Sequence, residues 1–328
     1  MNKMKRSFRL LLAVLSLLSV SAAFTACGSK TLYSEGDGEL SVVCTGFPPF
    51  DLAREVGGDR IKITILQDSG ADLHNYTPTS ATLEALNRAD VFIYIGGESD
   101  EWIEDAVAAS QNENLVLLPL IDAVTPIHAE LECDWHEHEH EHEHSHDDGH
   151  DHTHGDEHIW TSLVNAKLTI GAIKDAFCKI DPENTDIYAK NAENYVQRLD
   201  LLDNEYKEFF ESGKIDKMVF ADRFPFVYLL HDYQIPYIAA FSGCSAETNS
   251  SFSMQIGLIE AVRESNTDCI FVIEGGDKTL AEAISRETGC KILSLNSMQS
   301  IKRGDIEKGA KYIDIMEQNL NVLKEAVE

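Results

Sequence analysis

The chain is 328 residues long and carries 27 Lys+Arg against 56 Asp+Glu, a formal charge of −29 with histidine neutral. That excess of carboxylate excludes a nucleic-acid binder and draws cations toward the surface, within the roughly 8–10 Å that salt leaves unscreened. The length allows two domains of ordinary size.

The N-terminus points to the compartment. Lys3, Lys5, Arg6 and Arg9 precede an apolar run from Leu10 to Val20, then small residues lead to Phe24, Thr25, Ala26 and Cys27. Residues 1–26 read as a secretory signal whose apolar part is too short to span a membrane, and no later stretch is long and apolar enough to do so. Cys27, followed by Gly28 and Ser29, resembles a bacterial lipoprotein cleavage box, with Phe24 where leucine is usual. On that resemblance Cys27 is lipidated and anchors the protein outside the cell membrane; an ordinary secretory signal with an incidental cysteine is the alternative. Cleavage there removes four positive charges and no negative ones, so 23 Lys+Arg stand against 56 Asp+Glu, a charge of −33. Residues 27–39 are small, polar and Gly-containing, which predicts a flexible tether.

From Leu40 onward short strands alternate with helices. Residues 40–45, 61–66, 91–95 and 115–118 predict strands, and 50–56, 79–89 and 101–110 predict helices. This alternation implies βα units on a parallel sheet. Ligands of such sheets bind outside the carboxyl ends of the strands, and His74 lies in a loop directly after one.

Between Trp135 and His158 the chain holds 10 of its 13 histidines, interleaved first with glutamate and then with Asp, Gly and Thr. Imidazole suits zinc and its neighbours, whereas calcium and magnesium prefer oxygen. His136, His138, His140, His142, His144, His146, His150, His152 and His154 therefore predict an accessory metal-binding loop over 136–154. The alternatives are a tag or a solvated acidic loop, but the run is internal and interleaved with acids. Cys44, Cys133, Cys178, Cys244, Cys269 and Cys290 follow Cys27. Disulfides are permitted outside the cytoplasm, but no C-x-x-C spacing occurs, so a cysteine-based structural zinc site is not expected.

Residues 163–178 predict a helix that stops at Asp181-Pro182. The next 29 residues, 183–211, contain no Gly or Pro and place Ile187, Tyr188, Tyr195, Leu199, Leu202, Tyr206, Phe209 and Phe210 at helical spacing. Such a helix is about 43 Å long, enough to join two domains. A two-helix hairpin is the alternative, but the segment has no turn signal. A second block of strands (218–220, 237–241, 269–273, 291–295) and helices (226–233, 251–264, 280–288, 306–326) follows. The fold expected is α/β: two lobes with parallel-type sheets, 40–182 and 213–328, joined by one rigid helix over 183–212, with a metal site in the cleft between them.

Several motifs support a more specific comparison. Gly70-Ala71-Asp72-Leu73-His74, Asp156-Glu157-His158-Ile159-Trp160, the long helix after Asp181-Pro182, residues 241–250 carrying Glu247, and Phe271-Val272-Ile273-Glu274 occur in one consistent order. From Leu40 to the C-terminus the chain resembles the zinc/manganese substrate-binding proteins of ABC transporters. The resemblance implies two α/β lobes on a rigid helix, one metal ion bound between them, and delivery to a membrane permease. His-rich loops before the second ligand histidine are a feature of the zinc-handling members.

On that resemblance His74 and His158 are the first two ligands. The third position, usually His or Glu, falls on Ala221, which cannot coordinate metal. Zinc is almost always held by four ligands, one of which can be water, so other groups must complete the shell. Glu274, at a strand's carboxyl end, is the expected third ligand, and Asp277 competes with it. Glu247 opens a helix and is read first as its N-cap, with ligation second. Asp222 beside Arg223 is read as a structural pair and His231 as a surface or packing histidine; His128 is near the loop and could be recruited, but nothing specifies it. Two His and one carboxylate leave manganese open as cargo, but the imidazole-rich loop favours zinc.

The expected function is extracytoplasmic capture of Zn2+ for an ABC importer by a monomeric lipoprotein. Surface zinc storage or sensing, an adhesin of the same fold, and a manganese-binding member are the alternatives. Two His and a Glu also describe catalytic zinc, but an HExxH helix or a base beside bound water is missing, so no enzyme is expected.

Overall fold

The computed structural model describes residues 32–70, 76–128, 155–245 and 249–328. Cys27, His74, Glu247 and the nine loop histidines lie outside them. The first sheet contains β1 (Tyr33–Glu35), β2 (Leu40–Cys44), β3 (Ile61–Ile65), β4 (Val91–Tyr94) and β5 (Val116–Pro119), in the order β1-β3-β2-β4-β5. Apart from β1 against β3, all neighbours are parallel. Parallel neighbours need crossovers, which α1 (Phe47–Gly57), α2 (Ser80–Leu86) and α3 (Trp102–Ala109) supply.

Strand β1 corrects the tether expected over 27–39. Tyr33, Ser34 and Glu35 pair antiparallel with Ile65, Thr64 and Ile63. The edge of β3 offers a row of unpaired backbone groups, and an extended segment that returns past it completes them. A stretch as short and polar as Tyr-Ser-Glu carries too little apolar alternation to be recognised as a strand by itself. Its side chains confirm the fit: Tyr33 donates to Glu35 Oε2 at 2.8 Å, and Ser34 bonds Thr64 across the ladder at 2.7 Å.

Two helices leave the first lobe. Helix α4 (Leu163–Ile180) runs into a short 3-10 turn at Pro182–Asn184 and then α5 (Thr185–Glu211). Over 27 residues α5 spans about 40 Å. Its buried residues are Tyr188, Ala192, Tyr195, Leu199, Leu202, Tyr206 and Phe210, three or four apart, so they form one stripe. That stripe packs on α1 and α4 on one side and on the C-terminal helix on the other. One apolar cluster therefore runs from Leu40 through α5 to Ala326, and a second, around Val219, Leu258 and Ile270, lies within the second lobe.

The second sheet is β6 (Met218–Phe224), β7 (Tyr237–Ser242), β8 (Cys269–Ile273) and β9 (Lys291–Leu295), ordered β7-β6-β8-β9 and parallel throughout. Helices α6 (Val227–Asp232), α7 (Phe252–Glu264) and α8 (Thr279–Thr288) connect the strands. Every residue of β8 is buried, as its unbroken Cys-Ile-Phe-Val-Ile run requires of a central strand. Strand β6 continues past the expected 218–220 to Phe224, with an irregular register against β7 between Phe220 and Arg223.

The single helix expected over 306–326 is two, α9 (Arg303–Glu307) and α10 (Tyr312–Glu325). Gly309 takes a φ of +88° between them, a left-handed conformation that ends a helix cheaply only at glycine. The new N-terminus is capped from the other lobe, because Tyr312 N donates to Asp51 Oδ2 at 2.6 Å. Asp51 is fully buried and also pairs with Arg54. Among the described residues, no helix is long and apolar enough to cross a membrane.

Leu199 is buried within the stripe, whereas Leu201 on the same helix is 69% exposed. Leu199→Ala should cost about 2–5 kcal/mol in urea denaturation, and Leu201→Ala should stay within about 0.5 kcal/mol of wild type. Because the core is continuous, fluorescence and circular dichroism should report one shared transition for Leu199→Ala.

Candidate metal centre

His158 is fully buried just before the 3-10 turn Ile159–Thr161 that leads into α4. The Asp156 carboxylate takes both the backbone N–H and the Nδ1–H of His158, each at 2.8 Å. Asp156 is itself fixed by its backbone, since Tyr228 donates its hydroxyl to the Asp156 carbonyl at 2.7 Å and Asp156 N donates to Ile127 O at 2.7 Å. With the proton held on Nδ1, Nε2 carries the lone pair, the form in which imidazole binds metal. From the second lobe the Gln299 amide nitrogen approaches Nε2 at 2.9 Å and donates to it.

The segment is also anchored downstream. Trp160 Nε1 donates to Ser297 O at 2.8 Å, and the Tyr312 hydroxyl donates to Trp160 O at 2.6 Å. Ser162 caps α4 by accepting from Asn165 N and donates to Asp232 Oδ2 at 2.5 Å. Burial pushes the Asp232 carboxyl up to about 6, against the Ser162 hydrogen bond and with Asp203 adding to the rise.

Beside His158 stand Glu157 and Cys244. One ligand atom from each of Glu157, His158 and Cys244 lies within 4.8 Å of the others, the one such donor group among the described residues. Glu157 accepts from Ser99 N at 3.0 Å and Ser99 Oγ at 2.5 Å, and the Cys244 thiol points at its Oε1 from 3.6 Å. Close approach is built into the backbone on both sides. A Cβ on Gly97 would fall 2.3 Å from Glu157 Oε2, and one on Gly243 would fall 2.6 Å from His158 Cε1. Burial pushes the Cys244 thiol well above its usual range, and the Glu157 and Asp156 carboxylates push it further, so at neutral pH it keeps its proton.

The expected ligands separate. His158 is in the group. Glu274 follows β8 as expected, but its carboxylate accepts from Ser297 N at 2.6 Å and Ser297 Oγ at 3.0 Å and does not join the group. Burial raises it to about 6 despite those bonds. It lines a cavity of about 510 Å3 with Gly70, Arg223 and Lys302, and Gly70 is the last described residue before His74. Asp277 is exposed and bonds Thr279 N and Oγ at the start of α8, which lowers its pKa and leaves it outside the group. Ala221 is buried and supplies no donor. Asp222 engages backbone instead, accepting from Arg223 N and Ile273 N. His128 and His231 are exposed. Sequence reasoning missed Cys244, Glu157 and Gln299.

A larger cavity of about 960 Å3 opens beside the group, with Cys244 in its wall and Glu98, Glu101, Asp222 and Asp277 facing Arg223 and Arg286. Donors of both lobes thus gather at the carboxyl ends of parallel strands, where α/β sheets hold ligands.

The fold is a two-lobed α/β architecture whose seam carries a group of side chains that could hold a metal ion. The chain belongs to the family described as zinc-uptake complex component A, periplasmic, which it matches over residues 42–326. Zinc-binding lipoprotein AdcA of Streptococcus pneumoniae is 28% identical over 324 residues, covering 96% of this chain and 60% of that protein. The high-affinity zinc uptake system protein ZnuA of Bacillus subtilis is 28% identical over 318 residues, covering 95% of this chain and 97% of that protein. The chain thus spans about 60% of the length of the streptococcal relative and nearly all of the Bacillus one. The crystal structure of Zn(II)-bound AdcA from S. pneumoniae superposes with a TM-score of 0.70 at 25% identity, covering 88% of this chain and 58% of that one.

Asp232 supports the His158 segment through Ser162, and its titration should be visible in stability. Between pH 4 and 6 the native state holds a proton that the unfolded state has released, so this contribution falls as pH rises through that window. Asp232→Asn stays neutral throughout. Wild type should therefore lose stability relative to Asp232→Asn between pH 4 and 6 and run parallel to it above, in urea midpoints measured with chelator present.

Proposed function

We propose that this chain captures Zn2+ in the cleft between its lobes and delivers it to the permease of an ABC importer, acting as a carrier and not as an enzyme. The observation that carries this reading is His158: a fully buried imidazole whose Nδ1 is held by Asp156, leaving Nε2 as the donor. A carboxylate on the far nitrogen is the usual support of a metal-bound histidine. Membership of a family described by zinc uptake, and relatives named for zinc binding, support the same cargo.

His74, His158 and Glu274 are the donors we assign to the ion. Glu274 shares a cavity wall with Gly70 at the base of the His74 loop, which supports bringing the two together. Glu247 and Asp277 are secondary candidates, the latter already engaged as a helix cap. The nine histidines of 136–154 form an accessory loop that gathers zinc outside the cleft. Cys27 carries the lipid that holds a monomeric protein at the outer face of the membrane, in keeping with a relative named as a lipoprotein.

Calorimetric zinc titration tests the reading. One tight site should survive deletion of 136–154 while several weak sites disappear, and His74→Ala with His158→Ala should abolish the tight site. Asp156→Asn should weaken it about 10–100-fold by releasing the imidazole. Loss of all tight binding on loop deletion would make the loop the principal site and replace transport with storage or sensing.

A further inference from the structure

The position that the family resemblance gives to a second-lobe ligand falls on Ala221, which lines the same cavity as Phe241 of β7 and Cys244. The strand finishes at Ser242, and Gly243 carries the backbone so near the imidazole of His158 that only glycine fits. The next residue, Cys244, is thereby set with its sulfur 3.6 Å from Glu157 Oε1 and within 4.8 Å of the ligand atoms of both Glu157 and His158. In a tetrahedral zinc site with bonds of roughly 2.0–2.3 Å, donor atoms stand about 3.3–3.8 Å apart, so the Cys244 sulfur and the His158 ring nitrogen need close by only about 1 Å. Its wall on the 960 Å3 cavity gives an ion a route to the sulfur without unfolding.

We propose that Cys244 binds the cargo zinc as a thiolate, supplying from the turn after β7 the donor that Ala221 lacks. The proposal rests on the carrier reading above and deepens it by naming what makes the site selective. On binding, a zinc–sulfur bond forms and the S–H bond breaks. The proton passes to Glu157 Oε1, which already faces the thiol, and from there to solvent. No oxidant or reductant is involved. A thiolate and an imidazole favour zinc over manganese, whose preferred donors are oxygens, so Cys244 resolves the ambiguity that two histidines and a carboxylate leave open.

The other described cysteines lack this setting. Cys44, Cys269 and Cys290 are buried in or beside core strands, and Cys178 donates to Thr185 O between α4 and α5. Cys27 and Cys133 lie outside the described residues; Cys27 is the lipidated residue on the reading above, and Cys133, three residues before His136 in the sequence, is the competitor that the test separates.

The experiment is Co2+ substitution of the purified full chain, read by near-ultraviolet absorption, where thiolate-to-cobalt charge transfer appears and imidazole or carboxylate ligation gives none. Wild type and Cys133→Ser should show the band, and Cys244→Ser should lose it. Zinc titration with manganese competition should show the zinc-to-manganese affinity ratio falling in Cys244→Ser. Zinc should also protect Cys244 of the wild-type protein from alkylation, read by peptide mass spectrometry, which needs no variant to fold. Tight zinc binding with no sulfur band and no protection would overturn the thiolate and leave the carrier reading standing. A band that persists in Cys244→Ser and vanishes in Cys133→Ser would place the sulfur with the loop and also overturn it. Absence of any tight zinc site in wild type would overturn the carrier reading and the thiolate together.

Discussion

A fully buried imidazole between two lobes is tolerable only if both of its nitrogens have partners, because an unpaired buried polar group costs about 1–3 kcal/mol. His158 meets that constraint with one partner from each lobe: Asp156 on Nδ1 and Gln299 on Nε2. Much of the seam follows from holding these two in place. Tyr228 fixes Asp156 through its carbonyl, Trp160 ties the segment to Ser297, and Tyr312 ties Trp160 to the last helix. The same last helix is capped by Asp51 of the first lobe. The lobes are therefore joined near the site by directional hydrogen bonds, and away from it by the apolar stripe of α5.

These two kinds of join have different mechanical consequences. Burial along α5 is non-directional and spread over the whole core, so it sets the distance between the lobes without depending on any one contact. Hydrogen bonds at the seam are directional and tie named pairs, so each depends on the placement of its own two partners. That combination suits a carrier, which must release what it binds.

Much of the fold was legible because its signals are local. Runs such as Cys269–Ile273 and Lys291–Leu295, bounded by polar turns, identify strands whatever their neighbours do. The long gap without Gly or Pro identified α5 for the same reason. Strand β1 was not legible, since three residues with one aromatic carry no pattern; it exists because β3 has an edge to fill. The break at Gly309 shows in the sequence only as a single glycine, and the apolar spacing that resumes beyond it masks the interruption. At the site, Asp156 two residues before His158 was in plain sight. Cys244 carries no C-x-x-C spacing that would mark it as a metal-binding cysteine. Its actual signal was positional: a cysteine after a glycine, directly beyond the carboxyl end of a parallel strand, the same logic that singled out His74. Gln299 had no signal, since its partner lies 141 residues away in the chain.

Gln299 bears on affinity as well as on packing. On the proposed reading an ion using Nε2 would have to displace the amide, and the observed affinity would be scaled down to the fraction of protein in which the nitrogen is uncovered. The displaced amide belongs to the second lobe, which means that the competition between ion and glutamine is also a competition between two arrangements of the seam. On that reading an ion taking Nε2 would break one of the bonds that join the lobes, and its departure would let the bond reform, so the amide would assist release. The cavity beside it has Glu98, Glu101, Asp222 and Asp277 in its wall against Arg223 and Arg286, a net excess of carboxylate that draws cations toward the seam.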